Sequence, residues 1–487
     1  MTHIRVRKRR KAIRQHIRNV YSNINIRSPL TEIAYESNVE QSIMRITNCR
    51  SCGCDDLRVI LDLGSQPIAN ALLSDAELSR PEMRFTLAVA FCPACALLQV
   101  TETVPPDVLY RRDYPYFSSS SAALLKHSAE HVETLACKYE LGPLSFVVEV
   151  ASNDGYLLRN FVDRGINCLG IDPADGPVAR ANAIGVPTIR DFFGSRYAEK
   201  LANEGRLVDV VIANNVLAHV DDINDFVAGF ARLLKPTGVA VLEFAYAVDM
   251  IEYCEFDTIY HEHLFYHTLH GLTPLFNRHG LYLNYVERLP IHGGSLRLTV
   301  SRTPTRAIQL DALFAHEAAL GVDKVSFYND FADRVRTLRD SLAGLLVSQR
   351  AKGKRIACYG AAAKGATLVN YLDLGERFFE FVADANAYKQ GKYMPGQRIP
   401  IRHPDKLVAD QPDYVLLLVW NFAGEVMRQQ ATYRERGGSF IIPVPEPCIV
   451  PPGAPIDDTQ FAISPTRNPA APHGFSKGGH LATPLQS

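Results

Sequence analysis

The sequence predicts an α/β protein with two doubly wound units, preceded by a cysteine-rich segment. Apolar, β-branched runs alternate with helical segments in two separate series along the chain. This alternation is typical of parallel strands covered by helices. Four cysteines in two pairs precede the first series, and a length of 487 residues exceeds what one ordinary core can organise. Several domains are therefore expected.

The chain divides into six predicted segments. The first has many Arg and Lys residues and no acid before Glu32, and the last is rich in Pro and Gly. The leader resembles an organelle presequence in composition, but a disordered arm is the favoured interpretation. The segments are a basic, disordered leader (1–45), a cysteine-rich segment (46–112), a first doubly wound unit (113–305), a helical connector (306–350), a second doubly wound unit (351–450) and a tail (451–487).

Composition excludes some classes of protein. Hydrophobic content of 47% and charged content of 21% are typical of globular domains. Basic and acidic residues balance at 52 each, which counts against a nucleic-acid partner. No apolar run approaches the ~18 residues of a membrane span. Ten cysteines in a chain of this length indicate metal binding in a reducing, cytoplasmic setting rather than a disulfide scaffold.

The strands of both units are predicted from short apolar runs. A helix is expected between Tyr116 and Tyr139, ahead of the first strand. The first unit is predicted to contain strands at 146–150, 168–171, 208–213 and 238–243. The second is predicted to contain strands at 355–360, 379–384, 413–418 and 439–443. No convincing sequence repeat relates the two units.

The cysteine pairs predict a structural zinc site. Cys49 and Cys52 are separated by two residues, as are Cys92 and Cys95. Two tight turns of this kind present four thiolates in a tetrahedron, which leaves no open position for catalysis. Cys54 has poor spacing for a ligand. Unpaired core thiols and a redox pair are the alternatives.

A strand followed by a turn indicates a cofactor site without a dinucleotide fingerprint. The turn Asn153-Asp154-Gly155 follows the strand that ends at Val150, and a helix is expected from about Tyr156. No G-x-G-x-x-G occurs there, so a ligand without a pyrophosphate is favoured. An acid at the end of the next strand can accept ribose hydroxyls. We expect S-adenosylmethionine to bind these residues: Glu149, Ala151, Asn153, Asp154, Gly155, Asp172 and Asn214.

Six longer motifs occur between Cys49 and Pro445. They are 213–220 (ANNVLAHV), 257–264 (DTIYHEHL), 292–297 (HGGSLR), 359–365 (YGAAAKG), 388–391 (YKQG) and 394–396 (MPG). With these motifs in this order, the chain resembles the sugar C-methyltransferases of deoxysugar biosynthesis. The resemblance implies an N-terminal zinc-binding domain, a class I methyltransferase domain and a C-terminal Rossmann-like α/β domain.

Methylation of carbon needs a base and donors for the resulting enolate. The resemblance implies that His263 is the base, that Tyr260 donates to substrate oxygen and that Glu262 orients or charges the imidazole. It also implies active-site roles for His219 and for a nearby tyrosine, with Tyr116 favoured over Tyr114. Family members often carry Tyr where this chain has Ser120, which puts the substrate's polar partners there in doubt. Without the resemblance, His261 and His263 could equally bind a metal, and a structural role would rank above both.

The second unit predicts a nucleotide-binding loop. Gly360 to Lys364 follow a strand and open a helix, and Asp384 ends the next strand. A helix N-terminus there favours a diphosphate, with Lys364 as counter-charge. Under the resemblance this diphosphate belongs to a sugar nucleotide, contacted also by Tyr114, His292 and Lys389. A packing domain with a vestigial loop is the other interpretation.

These observations favour transfer of a methyl group from S-adenosylmethionine to carbon, at C3, of a dTDP- or GDP-linked 4-keto-6-deoxy sugar. The partners expected are that nucleotide sugar and, in a homo-oligomer, further copies of the chain, with no nucleic acid or membrane. One rival is an NAD-dependent sugar-nucleotide oxidoreductase built on the second unit. The other is a non-enzymatic zinc adaptor, which the balanced charge disfavours.

Overall fold

A computed structural model describes residues 44–105, 109, 117–291 and 293–456 of the chain. Most of the predicted leader and tail therefore lies outside the described residues. So do three predicted site residues, Tyr114, Tyr116 and His292.

The N-terminal unit is a small antiparallel β-structure. A long hairpin brings Val59 opposite Ala90 and Gln66 opposite Phe85, and its inner strand is almost wholly buried. A short 3-10 helix at Asp75–Glu77 is closed by a capping box from Ser74. The strands are β1 (Met44–Arg45), β2 (Arg58–Pro67), β3 (Arg84–Phe91), β4 (Leu98–Val100) and β5 (Glu102–Thr103).

The middle unit contains a seven-stranded mixed sheet with helices on its faces. Its strands are β6 (Phe146–Val150), β7 (Asn167–Asp172), β8 (Thr188–Arg190), β9 (Val208–Asn214), β10 (Leu234–Ala245), β12 (Tyr282–Leu289) and β13 (Ser295–Ser301), with the short β11 (Phe265–Tyr266) outside the sheet. The helices are α1 (Ala122–Lys138), α2 (Arg159–Val162), α3 (Asp175–Ala183), α4 (Ser195–Asn203), α5 (Ile223–Leu233), α6 (Ala247–Glu252) and α7 (Leu269–Arg278).

The strand order of this sheet is β12-β13-β10-β9-β6-β7-β8. Strands β6 to β10 run parallel, and β13 and β12 complete the edge in antiparallel fashion. The central parallel strands β6 and β9 are buried on both faces, which explains their nearly continuous apolar sequence. Because these strands run parallel, their carboxyl ends meet at one edge of the sheet, where open α/β sheets bind ligands.

Two helices, α8 (Ile308–Leu320) and α9 (Phe331–Ala351), connect this unit to the C-terminal one. The C-terminal sheet has the order β16-β15-β14-β17-β18-β19, parallel except for β19. Its strands are β14 (Ile356–Tyr359), β15 (Val382–Ala383), β16 (Ile401–Arg402), β17 (Tyr414–Leu417), β18 (Ser439–Ile442) and β19 (Cys448–Val450). Its helices are α10 (Ala363–Leu372), α11 (Asp405–Asp410), α12 (Ala423–Gln429) and α13 (Ala431–Glu435).

The segment between α6 and α7 is held by both neighbouring units. Its strand β11 pairs with β4 of the N-terminal unit. From the C-terminal side, Trp420 Nε1 donates to Asp257 Oδ2 over 2.7 Å, and Thr367 Oγ1 donates to the carbonyl of Ile259 over 3.0 Å. The position of this segment therefore depends on all three units.

The predicted α/β fold class is confirmed, with two doubly wound sheets and a cysteine-bearing unit before them. The helix after the first strand begins at Arg159, three residues later than expected, because the chain makes tight turns over 151–158 first. In the part of the chain that the structure describes, the helices are too short or too polar to span a membrane.

Candidate functional site

Two matching turns bring the four paired cysteines together. Cys49 accepts a hydrogen bond at its carbonyl from Gly53 N–H, and Cys92 accepts one in the same way from Ala96 N–H. In each turn the residue after the second cysteine has a left-handed backbone, with φ of 78° at Gly53 and 58° at Ala96. The same local geometry is thus built twice, at sites far apart in sequence.

The cysteine cluster fits a zinc ion. The Sγ–Sγ distances are 3.6 Å for Cys49–Cys95 and for Cys52–Cys92, and all four sulfurs lie within 4.8 Å of one another. Zn–S bonds of about 2.3 Å in a tetrahedron require sulfurs about 3.8 Å apart. A close hydrogen bond from Cys95 lowers the pKa of the Cys49 thiol to about 4, which favours a thiolate there. Cys54 lies outside this group, as its spacing predicted.

The loop after β6 has the backbone of a ligand-binding turn. Positive φ angles occur at Ala151 (55°), Asn153 (50°) and Gly155 (76°), although two of these residues carry a Cβ. Left-handed non-glycine residues are strained and cluster where a ligand is held. Gly170 lets this loop lie close to strand β7, because a Cβ at Gly170 would be 2.3 Å from Ser152 Oγ.

Acid groups of this edge fit the polar parts of S-adenosylmethionine. Asp172 ends β7, and its two oxygens accept the N–H groups of Asn153 (2.9 Å) and Ala174 (2.8 Å). Each oxygen retains a lone pair for a hydroxyl group. Glu149 is fully buried beneath the loop, and burial together with Asp172 raises the pKa of its carboxyl well above the ordinary value. Asn214 Oδ1, at the end of β9, is buried without a partner among the described residues.

Two of the predicted cofactor residues, Asn153 and Asp154, accept hydrogen bonds from the segment that precedes α1. Asn153 Oδ1 accepts the Ser118 N–H over 2.9 Å, and Asp154 Oδ2 accepts the Ser119 hydroxyl over 2.5 Å. This segment leads into α1, which Ser121 caps by accepting the Leu124 N–H. The two side chains therefore shape the rim of the cofactor edge.

A partly open pocket adjoins the carboxyl ends of β9 and β10. It is lined by titratable groups within an otherwise apolar wall. The lining comprises Asn215, Ala218, His219, Phe244, Ala245, Tyr246, Ala247, Met250, Glu255, Thr258, His263, Phe265, Tyr266 and His267. His219 and His263, both predicted as active-site residues, are thus brought to one cavity beside the cofactor edge.

The His263 ring is held by two hydrogen bonds. Its Nδ1 lies 2.9 Å from the carbonyl of Thr258, so that nitrogen carries the proton in our assignment. Its Nε2 lies 2.7 Å from the Tyr260 hydroxyl, which then donates to it. Burial, together with His219 at a ring distance of 4.7 Å, lowers the pKa of His263 well below its ordinary value. The imidazole is therefore neutral near pH 7, as a general base requires.

The expected contact between Glu262 and the imidazole is wrong. Glu262 Oε1 accepts a hydrogen bond from Asn70 Nδ2 over 2.7 Å, and both ring nitrogens of His263 have the other partners given above. The turn at 261–262 points the carboxylate toward the N-terminal unit. His261 likewise faces Phe85 O, at 3.3 Å, so the alternative of a metal held by His261 and His263 is not supported.

In the C-terminal unit, three predicted residues meet at the carboxyl edge of β14 and β15. Gly360 has φ of 94°, and a Cβ there would lie 2.6 Å from Val419. Asp384 accepts the Ala361 N–H over 2.7 Å, and Lys389 Nζ donates to the Ala361 carbonyl over 2.8 Å.

Lys364 does not join this cluster, which corrects its expected role as counter-charge for a diphosphate. Its ammonium lies 4.1 Å from the centre of the Trp420 ring, buried in the protein interior. The helix α10 turns that side chain inward, toward the segment that carries Asp257.

Sequence reasoning missed several residues of the pocket. Glu255, Tyr266 and His267 line it beside His263. Glu255 lies two residues before the 257–264 motif. An acid two residues before Asp257 in an apolar stretch was the available signal. Near the cofactor edge, Phe192 is exposed next to Asp191, whose N–H donates to the carbonyl of Asp172.

Three family models match the chain in succession. They describe a zinc binding domain (residues 49–110), a methyltransferase domain (128–286) and a C-methyltransferase C-terminal domain (290–445). Fold and site thus define a class I methyltransferase that carries a structural zinc-binding domain and uses S-adenosylmethionine.

Among curated proteins, C-methyltransferase NovU of Streptomyces niveus is 35% identical over 416 residues, 84% of this chain and 98% of NovU. The chain belongs to this family and is an S-adenosylmethionine-dependent C-methyltransferase. The NAD-dependent alternative is not retained, because the second doubly wound unit matches a domain of C-methyltransferases.

More distant proteins resemble parts of the chain. A ubiquinone biosynthesis O-methyltransferase of Bartonella tribocorum is 30% identical over 95 residues, 19% of this chain and 38% of that protein. The solved structure of PH0226 protein from Pyrococcus horikoshii OT3 aligns with a TM-score of 0.33 at 18% identity, over 40% of this chain and 98% of that one.

Proposed function

We propose that this C-methyltransferase acts on a nucleotide-linked 4-keto-6-deoxy sugar, at C3 beside the ketone. The observation that carries the proposal is His263, a neutral, partly buried imidazole in a pocket that adjoins the cofactor edge. Methylation at carbon needs a carbanion, and a proton next to a ketone is the one that such a base can remove.

In this proposal the middle and C-terminal units each contribute one part of the site. S-adenosylmethionine supplies an electrophilic methyl group. Asp172 and the loop after β6 orient it, and His263 removes the proton from the sugar carbon. Tyr260 turns its hydroxyl from His263 Nε2 to the substrate oxygen as the sugar enters, which frees the base. Lys389 and the N-terminus of α10 bind the diphosphate, because both offer positive charge at one sheet edge.

The direct test is turnover of a defined substrate. We expect the purified protein, given S-adenosylmethionine and dTDP-4-keto-6-deoxyglucose, to form a nucleotide sugar heavier by one methylene group. Mass spectrometry detects the product, and NMR distinguishes a methyl group at C3 from one at C5. A parallel reaction with the GDP-linked sugar tests which nucleobase the enzyme accepts. Formation of S-adenosylhomocysteine on both sugars without any C-methylated product would contradict the proposal.

The cofactor edge makes a separate prediction. Replacing Asp172 by Asn removes a charged acceptor and is expected to weaken binding of S-adenosylhomocysteine by about tenfold to a hundredfold. Isothermal titration calorimetry measures the affinity. Asp175→Asn is the matched control, because Asp175 is an exposed acid three residues further on that pairs with Arg190. Equal affinities for the two variants would remove Asp172 from the cofactor site.

A further inference from the structure

A buried carboxyl group in the pocket has no assigned role. Glu255 is 3% exposed, lines the same cavity as His263, and its Oε1 has no hydrogen-bond partner among the described residues. A buried polar atom left unpaired is costly unless a ligand completes it. The free oxygen therefore marks a place for a polar group of the substrate.

The loop that contains Gly293 leaves space for the Glu255 carboxyl group. Gly293 has φ of 92°, and a Cβ at that position would lie 2.8 Å from Glu255 Oε2. The neighbouring Gly294, with φ of 115°, clears Asp249 in the same way. Gly293 and Gly294 thus allow this loop to pack directly against the carboxyl groups of Glu255 and Asp249.

The charges around Glu255 decide which acid keeps its proton. Asp249 is paired with Arg288 at 2.6 Å, and among the described residues Lys364 is the cation that acts on both Glu255 and Asp257. Asp257 accepts the Trp420 N–H, and Lys364 lies over that same indole ring. Hydrogen bonding favours the charged form of Asp257, whereas Glu255 Oε1 has no donor in the part of the chain that the structure describes.

Burial raises the pKa of Glu255 well above its ordinary value, and the nearby acids Asp249 and Asp257 act in the same direction. Lys364 acts against them. The three histidines of the pocket wall, His219, His263 and His267, have pKa values lowered by burial and add no positive charge near pH 7. Burial raises the pKa values of the two tyrosines of the wall, Tyr246 and Tyr266, which therefore add no negative charge.

We propose that Glu255 is a further catalytic residue, a neutral carboxylic acid that donates its proton to the ketone oxygen of the substrate during enolisation. This inference rests on the proposed function, because it requires a ketone beside the reacting carbon. A carboxylic acid kept neutral by an apolar site can act in this way.

The step balances within the pocket. The C–H bond breaks and its proton forms a bond to His263 Nε2. The electron pair of that bond becomes the C=C bond, and the carbonyl pair moves to oxygen, which takes the Glu255 proton. When the new carbon–carbon bond forms, the ketone is restored and the proton returns to Glu255. His263 then releases its proton to solvent.

The experiment follows enolisation without methyl transfer. Wild-type protein is incubated in D₂O with S-adenosylhomocysteine and dTDP-4-keto-6-deoxyglucose, and deuterium at the carbon next to the ketone is measured by NMR. The Glu255→Gln variant cannot give up a proton and is expected to lose about tenfold to a hundredfold in exchange and in kcat for methylation. Glu255→Leu, without a donor, is expected to lose about 10²–10³-fold.

Stability separates this role from a structural one. Glutamine replaces a neutral acid at nearly equal volume, so Glu255→Gln is expected to keep the wild-type Tm and affinity for S-adenosylhomocysteine. A large loss of Tm would mean an ionised acid paired with Lys364 and would overturn the inference, as would unchanged exchange. Glu252→Gln, on the preceding helix, is the matched control.

The wild-type enzyme distinguishes the two proposals. If it neither exchanges nor methylates the keto sugar, the proposed function fails and this inference fails with it. If it does both and the Glu255 variants match it, the inference alone is overturned.

Discussion

The His263→Gln variant is expected to lose about 10³-fold in kcat for methyl transfer while still binding S-adenosylhomocysteine. The imidazole lies in the pocket beyond the cofactor edge, and the Thr258 carbonyl holds its Nδ1–H, so that Nε2 is the basic atom. Glutamine retains polarity but cannot accept the proton at a useful pKa. Steady-state kinetics with the keto sugar measure kcat, and calorimetry measures cofactor affinity.

The pH profile provides an independent test of the base. Burial lowers the pKa of His263, so the active, neutral form persists as the pH falls through the ordinary histidine pKa of about 6.5. The acid limb of kcat/KM is therefore expected below that value. His261→Gln is the control for local damage, because His261 is buried nearby but faces Phe85. A His263→Gln enzyme with wild-type kcat would exclude His263 as the base.

The Cys95→Ser variant is expected to bind less than one zinc ion per chain and to lower Tm by ~10 °C or more, because zinc binding supplies much of the folding free energy of such small units. Metal content is measured by plasma mass spectrometry and Tm by calorimetry. The loss is expected to be large because Cys95 is 5% exposed and lies 3.6 Å from Cys49.

Loss of zinc is also expected to lower methyl transfer, although the site is structural. The strand β4, which follows Cys95, pairs with β11 in the segment that carries His263. Val100 N–H donates to the carbonyl of Leu264, the residue after His263, over 3.0 Å. Cys54→Ser is the matched control, since Cys54 adjoins the cluster but is not one of its four residues. Equal zinc content in Cys95→Ser and Cys54→Ser would contradict the assignment.

Local sequence predicted the parts whose geometry depends on short-range chemistry. The C-x-x-C pairs specify two tight turns, and each turn forms wherever its own backbone hydrogen bonds are satisfied. Asp172 was equally predictable, because a residue at the end of a parallel strand must lie at the carboxyl edge.

The partners of individual side chains were harder to predict. Glu262 and His263 are neighbours in sequence, yet one contacts Asn70 of the N-terminal unit and the other faces the pocket. Lys364 opens a helix as expected, but its ammonium is buried over Trp420, which lies 56 residues away by the sequence numbering. Such contacts join residues that are far apart in sequence, so no local pattern encodes them.

The sequence by itself determined the α/β class, the cysteine cluster, the order of the strands and the motif that contains His263. Those features depend on hydrophobic periodicity and residue spacing, which act within one element. Only the tertiary structure decided that Glu255 and His263 line one cavity, and that the Glu262 carboxylate contacts Asn70 rather than the imidazole. Burial and charge depend on which elements pack together, and at this site three units converge on one short segment.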